Sequence, residues 1–284
     1  MIRVGPAGWS YRDWAGIAYP HPKPRGFDPL AYLAQYFDTI EVNSTFYRPA
    51  SAKTAYDWAA RVTANNAFRF TAKLWRRFTH ERGEAYTRAE VRKTRQGLDP
   101  LYATDRLGAL LLQFPWSFRR TEENRQWLDD LTISFRDYPL VIEVRHASWN
   151  VPEFCEELVE RSIGFVNIDQ PMFSHSIAPS SAVTSPVGYV RVHGRNYKDW
   201  FRKDAGVEAR YDYLYSAAEL RPWVRRTREI AEEAEETYVI TNNHYRAQAL
   251  VNAIMLESML RDDKVPAPPD LVQEFPRQLK RFAS

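Results

Sequence analysis

This sequence has almost no cysteine, no long apolar run and no pattern of a secretory signal in its first residues. Cys155 is the only cysteine in 284 residues, which excludes an intrachain disulfide and a cysteine-rich metal site. Helical spacing places it on one face with Phe154, Leu158 and Val159, so we expect a buried and unreactive thiol. No apolar run reaches the length of a membrane span, and the first residues lack the apolar core of a secretory signal. We therefore expect a cytoplasmic protein with no membrane partner.

Several motifs of nucleotide-binding and hydrolytic proteins are also missing. The first glycine-containing turn, Gly5-Pro-Ala-Gly8, lacks the G-x-G-x-x-G spacing of a doubly wound dinucleotide-binding sheet. There is no Walker-type loop, and neither Ser10 nor Ser44 lies in a G-x-S-x-G elbow. No H-x-H or H-E-x-x-H spacing indicates a zinc site. These absences argue against the common phosphate-loop, serine-hydrolase and zinc-peptidase classes.

Aromatic residues, by contrast, are abundant. They make up 14% of the chain and include 9 Trp and 16 Tyr, enough ring surface to fill a large core and still line a binding site. The charge is almost balanced, because 39 basic and 36 acidic residues leave a formal net charge of +3. That balance argues neither for nor against nucleic acid, since a local patch matters more than the total.

Short β-branched apolar runs alternate with helical patterns along the whole chain. Most of these runs are continuously apolar, which is typical of parallel strands covered on both faces. The predicted strands begin at Ile2, Thr39, Phe68, Gly108, Leu140, Gly164, Gly188 and Tyr238. The predicted helices cover residues 54–62, 89–101, 121–131, 152–161, 217–236 and 247–261, and Ser216 and Glu219 form a capping-box pattern at the start of the fifth.

Eight strand–helix units of roughly 35 residues each match a (β/α)8 barrel. We therefore predict an α/β protein with a single TIM-barrel-like domain over residues 1–284, in which residues 262–284 form a C-terminal extension. One unit departs from the pattern. Residues 169–186 contain Pro171, Pro179 and Pro186 but no helical pattern, so we expect an irregular crossover after the sixth strand.

Polar, cationic and aromatic residues follow every predicted strand. In a barrel these positions converge on one mouth, the face where barrel enzymes place their active sites. An aromatic residue follows each strand, including Trp200 after the seventh, and an arginine follows seven of the eight. The predicted ligand-binding residues are Trp9, Tyr11, Glu41, Asn43, Lys73, Gln113, Arg145, His146, Arg191, Arg195, Asn196, Asn242, Asn243 and His244.

This combination of side chains predicts an anionic ligand that also contains a ring. Arginine forks match phosphate and carboxylate oxygens, and aromatic faces stack on bases or sugars. A nucleotide, a nucleic-acid strand or a sugar phosphate meets both conditions. Our leading hypothesis is an enzyme, for example a hydrolase or nuclease, acting on a phosphate-bearing substrate. We assign Lys73, Arg145 and Arg195 to the anion, and Glu143 or His193 to proton transfer.

Other interpretations of the same residues stay open. The aromatic residues could plug the barrel while the arginines pair with Glu41, Glu143 and Asp169, because Glu143 and Arg145 share one strand face, as do Arg191 and His193. A metal-dependent nuclease or isomerase would use Glu41, Glu143, Asp169 and His193. We predict no cofactor, and a divalent metal is not favoured because the interleaved cations would repel it.

The remaining alternative is a non-catalytic nucleic-acid-binding barrel that uses the arginine and aromatic rim as a stacking platform. For His80, His146 and His244 taken singly, a hydrogen bond that holds a loop is favoured over catalysis. The sequence does not indicate an oligomeric state.

Seven motifs in order make the chain similar to a known family. They are Gly8-Trp-Ser-Tyr11, Glu41-Val-Asn-Ser-Thr-Phe-Tyr47, Phe70-Thr-Ala-Lys73, Leu112-Gln-Phe-Pro115, Glu143-Val-Arg-His146, Val192-His-Gly-Arg-Asn196 and Asn242-Asn-His244. Over residues 8–252 the sequence resembles the family called domain of unknown function 72, the YecE-like proteins. The resemblance implies a TIM-barrel-like fold and no established reaction. One departure is Ala247, which stands where the family leads us to expect glycine and whose methyl group would hinder a phosphate approaching the backbone there.

Overall fold

The computed structural model describes residues 1–198, 202 and 211–284, and within them eight parallel strands form one sheet. Neighbouring strands in the chain are neighbours in the sheet, and the last strand pairs in parallel with the first. The strands are β1 Ile2–Pro6, β2 Thr39–Val42, β3 Arg69–Lys73, β4 Leu107–Gln113, β5 Leu140–Glu143, β6 Gly164–Asp169, β7 Val187–Val192 and β8 Glu236–Thr241. The predicted strand starts are all within two residues of these.

Strands β1 and β2 close the barrel at their carboxyl ends. Ala7 forms a parallel bridge with Glu41, and the Gly8 amide donates to the Glu41 carbonyl at 2.8 Å. Further down, β1 approaches β2 so closely that a Cβ atom on Gly5 would lie 1.9 Å from the carbonyl oxygen of Thr39. Only glycine fits there. The predicted TIM-barrel-like (β/α)8 fold is therefore confirmed.

Helices cover the outer face of the barrel. Those in the described residues are α1 Pro29–Leu33, α2 Ser44–Tyr47, α3 Ala52–Arg61, α4 Arg76–Thr79, α5 Arg88–Ala103, α6 Glu122–Phe135, α7 Pro152–Glu160, α8 Ala217–Glu233, α9 Gln248–Arg261, α10 Pro269–Glu274 and α11 Pro276–Leu279. None of them is both long and apolar enough to cross a membrane.

Local sequence signals fix several helix ends. The predicted capping box at Ser216 and Glu219 is present, and a second one at Thr87 and Glu90 starts α5. The prediction that the helix after Ser216 runs to Glu236 was wrong. Helix α8 ends at Glu233, because Glu236 already pairs with Val187 as the first residue of β8.

The crossover between β6 and β7 contains no helix, as predicted. Its first part lies across the end of β5, where the Ala147 amide donates to the His175 carbonyl at 2.8 Å. Its second part returns along β6, where Asn167 Oδ1 accepts from the Ser180 hydroxyl and from the Ala182 amide. The segment after α9 folds back on itself through the Val265 amide, which donates to the Phe282 carbonyl at 2.9 Å.

The environment predicted for Cys155 was partly wrong. Phe154 and Leu158 are buried, whereas Cys155 is only half-buried and Val159 is 55% exposed. The apolar stripe of α7 is thus narrower than the sequence indicated. Partial burial still raises the pKa of the Cys155 thiol, which disfavours the reactive thiolate.

Candidate functional site in the barrel mouth

A layer of buried charges crosses the barrel near the carboxyl ends of the strands. Arg191 on β7 donates from Nη2 to Glu41 Oε1 at 2.7 Å and from Nη1 to Glu143 Oε2. Glu41 and Glu143 are fully buried, and Arg191 is 1% exposed. Their positions follow from strand alternation, which turns these three side chains to the inside of the barrel. We call Glu41, Glu143 and Arg191 the ionic layer.

Two further side chains cover Glu143 from the mouth side. Arg145 Nε donates to Glu143 Oε1 at 2.9 Å, and its Nη2 lies 2.8 Å from the same oxygen. His193 Nε2 lies 3.2 Å from that oxygen and 3.5 Å from Arg145 Nη2, and its Nδ1 lies 3.0 Å from the Nδ2 of Asn242. An amide nitrogen only donates, so His193 Nδ1 accepts from Asn242, which leaves Nε2 to carry the ring proton towards Glu143. The alternative that we derived from strand parity, an internal salt-bridge layer, is therefore present.

This network sets the protonation states of Glu143 and His193. Burial opposes ionisation of Glu143, but Arg191, His193 and Arg145 hold its pKa well below the usual value. Burial lowers the pKa of His193 to about 3, against the opposing effect of Glu143. One group is thus a fixed carboxylate and the other a fixed neutral imidazole with both nitrogens engaged. The proton-transfer role that we assigned to Glu143 or His193 from the sequence stays a prediction.

Lys73 differs from these groups because its charge is not neutralised by a partner. Among the described residues, Lys73 Nζ has no hydrogen bond and no ion pair, and it lies 3.9 Å from the centroid of the Phe46 ring. Burial, followed by the positive charge of Arg191, lowers its pKa to about 7. Lys73 therefore changes charge in the neutral pH range, which the sequence alone did not indicate.

A second ion pair lies at the end of β6. Arg195 forms a fork on Asp169, with Nε at 2.9 Å from Oδ2 and Nη2 at 3.0 Å from Oδ1. The hydroxyl of Tyr215 also donates to Asp169, and Arg195 stacks over the Tyr215 ring at 5.7 Å. Asp169 thus engages the guanidinium that we assigned to an anionic ligand.

Stacked rings form the rim beside β1 and β8. The Tyr11 ring stacks on His244 with centroids 4.4 Å apart. Tyr211 is the second ring neighbour of His244, with centroids 4.7 Å apart. Asn43 Nδ2 reaches the Tyr11 hydroxyl at 3.5 Å. Burial lowers the pKa of His244 to about 4, so this imidazole is neutral at physiological pH. Its role in the structure is stacking rather than the hydrogen bond that we expected.

Several predicted ligand-binding residues have structural contacts instead. Asn243 is fully buried behind the barrel wall, where Nδ2 donates to the Tyr213 carbonyl and to Asn252 Oδ1, both at 2.8 Å. Trp9 packs edge-on against Trp58, with ring centroids 5.6 Å apart. The structure does not bring Asn243 or Trp9 to the centre of the mouth.

The other predicted positions are placed as follows. His146 caps the turn that follows β5, where its Nδ1 accepts from the Ser148 amide at 3.1 Å, and this is the loop-holding role that we expected. His80 has a comparable contact, with Nδ1 2.8 Å from Thr79 Oγ1. Gln113 is in register with Glu143, and its Nε2 donates to the Phe114 carbonyl. Asn196 is half-buried in the loop after β7, and Trp200 lies outside the described residues.

Two tyrosines of this region were missing from the predicted site. The Tyr189 hydroxyl lies 3.1 Å from Glu41 Oε2 and 2.7 Å from Thr71 Oγ1, beneath the ionic layer. Tyr189 shares a strand face with Arg191, so alternation could have identified it. Tyr215 belongs to the segment before α8, and no pattern in the sequence connects it to Asp169.

The arrangement does not suit a metal ion at the positions that we considered. Arg191 lies between Glu41 and Glu143, and Arg195 engages Asp169. Within residues 1–198, 202 and 211–284 no group of three or more His, Cys, Asp or Glu side chains is placed to hold a metal. Each carboxylate already has a cationic side chain in the place that a metal would take.

Ala247, where we expected glycine, has left-handed backbone geometry. Its φ is +61°, and it directly precedes α9 as a fully buried residue. Left-handed φ values are the ones that glycine adopts without steric cost, which explains the expectation.

Comparison with known proteins agrees with this architecture. A model of the family described as "Protein of unknown function DUF72" matches residues 3–276. A DUF72 family protein from Thermotoga maritima has a similar crystal structure, with 33% identity, a TM-score of 0.79 and coverage of 92% of this chain and 99% of that one. A DUF72 family protein from Enterococcus faecalis has 26% identity and a TM-score of 0.79, with coverage of 92% and 96%.

Similarity to the UPF0759 protein YunF of Bacillus subtilis extends over 273 residues. The two chains are 28% identical, and the alignment covers 92% of this chain and 95% of YunF. The family model, which matches almost the entire chain, determines the classification. This chain belongs to the DUF72 family of proteins of unknown function.

Proposed function

We propose that this protein is an enzyme that binds a phosphate-bearing, ring-containing substrate in the mouth of the barrel. The observation that carries the proposal is the charge of the mouth. Among the described residues, three cationic side chains, Arg191, Arg145 and protonated Lys73, are grouped around two carboxylates, Glu41 and Glu143. An anion would balance the remaining positive charge, and the low dielectric of a partly buried site would strengthen that attraction.

The individual cations have different roles in this proposal. Arg191 is buried and bridges Glu41 and Glu143 through its two terminal nitrogens, so we assign it to ordering the site rather than to the ligand. The Arg145 side chain is 15% exposed at the mouth, and its planar guanidinium matches the oxygens of a phosphate. We therefore assign the phosphate to Arg145, with Lys73 as the second cation when it is protonated.

Aromatic rings at the rim support the second part of the proposal. The rings of Tyr11 and His244 form one stack at the β1–β8 side of the mouth, and the Phe46 ring lies against Lys73 on the β3 side. The edges of such rings would give the ring of a substrate an apolar surface to pack against. The recognised features are thus an anionic group and a flat or ring-shaped body.

Isothermal titration with inorganic phosphate, a sugar phosphate and a nucleotide tests the proposal. We expect saturable binding of at least one phosphorylated ring compound, and we expect Arg145→Met to weaken it by about tenfold or more, since hydrogen bonds to charged groups contribute about 1.5–3 kcal/mol. Arg225→Met is the matched control, because Arg225 is a 72% exposed side chain on α8. Equal binding by the wild type and Arg145→Met would contradict the proposal.

A gel-shift experiment with single-stranded DNA separates this proposal from the nucleic-acid-binding alternative. Retention of DNA at low salt, weakened by salt and by Arg145→Met, would favour a strand rather than a small molecule as the ligand. Titration of the mouth by a sugar phosphate without any shift of DNA would support the small-molecule substrate.

A further inference from the structure

Lys73 is a titratable group of the mouth that forms no hydrogen bond with the ionic layer. Glu41 Oε1 accepts from Arg191, and Glu41 Oε2 lies next to the Tyr189 hydroxyl. Glu143 Oε2 also accepts from Arg191, and its Oε1 accepts from Arg145 and His193. Each of the four carboxylate oxygens therefore already has at least one donor. The Lys73 amine lies beside two carboxylates without an ion pair among the described residues.

The position of Lys73 in the barrel suits a reaction. It is the last residue of β3, on the same strand face as Thr71, which contacts the Tyr189 hydroxyl inside the barrel. Its side chain therefore points into the mouth, above the ionic layer. The Phe46 ring lies 3.9 Å from Nζ and gives the amine an apolar wall. Such surroundings disfavour an ammonium ion and favour a neutral amine.

The charges around the amine have the same effect. Arg191 and Arg145 lower its pKa, Glu41 and Glu143 raise it, and burial is the largest effect. The result is a pKa of about 7, so about half of the Lys73 side chains carry a free lone pair at neutral pH. His80 lies close enough for Lys73 to lower its pKa, and burial holds that imidazole neutral with a pKa of about 3.

We propose that Lys73 is a nucleophile that forms an imine with an aldehyde or ketone group of the substrate. This inference deepens the proposed function and rests on it, because it names a carbonyl as the second recognised feature beside the anion. The neutral amine attacks the carbonyl carbon, and a carbon–nitrogen bond forms as the carbonyl π bond opens. The two hydrogens of the amine leave with the carbonyl oxygen as one water molecule. The products are an imine and water, and no oxidant or reductant is needed.

The two roles then fall to different side chains. Arg145 holds the phosphate, and Lys73 reaches the carbonyl of the same molecule. Substrates that meet both conditions are phosphorylated aldehydes and ketones, including sugar phosphates, whose ring form opens to a carbonyl compound, and ring aldehydes that carry a phosphate. The enzymes that act on such compounds through an imine are lyases and isomerases, which narrows the reaction class beyond hydrolysis.

Reductive trapping tests the inference. The protein is incubated with propanal or with pyridoxal 5′-phosphate, reduced with borohydride, digested and mapped by mass spectrometry. We expect the modification to be strongest at Lys73 at pH 7 and absent from that peptide in Lys73→Arg. Lys53→Arg is the matched control, because Lys53 is an 86% exposed lysine paired with Asp57. It should leave the labelling of Lys73 unchanged.

The pH dependence distinguishes a special amine from an ordinary one without any variant. The labelling rate of Lys73 should level off above about pH 8, because its pKa is about 7. A short lysine peptide labelled in parallel gives the reference, because the rate of an ordinary lysine, with a pKa of about 10.4, should continue to rise by about tenfold per pH unit. Labelling that simply follows exposure, or a Lys73 rate that rises in parallel with that of the peptide, would overturn the inference.

The two aldehydes separate this inference from the proposed function. Propanal is neutral, so its trapping at Lys73 reports the amine alone. Binding of a sugar phosphate without any Lys73 adduct would overturn the imine and leave the anion site intact. Trapping of propanal with no binding of any phosphate compound would support the amine and contradict the anion site.

Discussion

Removing the guanidinium of Arg191 tests whether the ionic layer holds the barrel together. Arg191→Met keeps a long unbranched side chain but leaves two fully buried carboxylates without their shared cation. Breaking a buried ion pair by deleting one partner costs about 3–5 kcal/mol, because the remaining charge stays buried. Here Glu143 retains Arg145, whereas Glu41 retains only the Tyr189 hydroxyl. We therefore expect the free energy of unfolding at pH 7 to fall by about 3–5 kcal/mol.

The pH dependence of this loss of stability shows whether buried carboxylate charge causes it. In the wild type the pKa of Glu143 is depressed in the folded state, so its contribution to stability is present above its normal pKa and is lost only as pH falls through the depressed value. In Arg191→Met the pKa of Glu143 rises, because the cation that lowers it most is removed, and protonation then relieves the burial of a charge. The difference in stability between variant and wild type should therefore shrink as pH decreases from 7 to 5.

Urea unfolding monitored by tryptophan fluorescence at pH 7 and pH 5 measures both effects. Arg225→Met provides the control, because Arg225 belongs to an exposed pair with Glu229 at 3.6 Å and should change stability by less than about 0.5 kcal/mol. The double variant Arg191→Met, Glu41→Gln should recover part of the loss. A cost below about 1 kcal/mol for Arg191→Met, or a cost independent of pH, would refute this account of the layer.

Two further predictions follow from Lys73 and Ala247. Phosphate affinity measured by isothermal titration should fall as pH rises through about 7, because Lys73 loses its positive charge there. Lys73→Arg should remove this fall in affinity. An unchanged fall in Lys73→Arg would assign it to another group. Ala247→Gly should raise the free energy of unfolding by about 0.5–1 kcal/mol, because glycine adopts the φ of +61° without steric cost, and Ala253→Gly in the middle of α9 should lower it by about 1 kcal/mol or more. A loss of stability in both glycine variants would show that the left-handed backbone at position 247 is not strained.

The sequence contained most of the information about the barrel. Continuous apolar runs such as Leu107–Gln113, buried along their whole length, predicted parallel strands covered on both faces. The capping box at Ser216 and Glu219 located the start of α8, but its end was misplaced because the helical pattern continues into β8. Strand alternation could also have excluded Asn243 from the mouth. Asn242 faces inward to His193, so the next residue, Asn243, faces the outer helices.

Pairing between distant side chains could not be predicted. Arg191 contacts Glu41 and Glu143 from 150 and 48 positions away, and nothing local determines which of several arginines takes which carboxylate. The same limit applies to Arg195, which follows β7 and binds Asp169 at the end of β6, 26 positions earlier in the chain.

The polar residues at the strand ends could thus be identified in the sequence, but the contacts of each side chain could not. By itself the sequence determined the fold, the mouth and the types of side chain that meet there, because these depend on local hydrophobic periodicity and on the rule that parallel strands end on one face. Only the tertiary structure decided that Arg191 bridges both carboxylates and that Lys73 forms no ion pair within the described part of the chain. That outcome depends on distances of a few ångströms across the barrel, which are fixed by packing and by closure of the sheet.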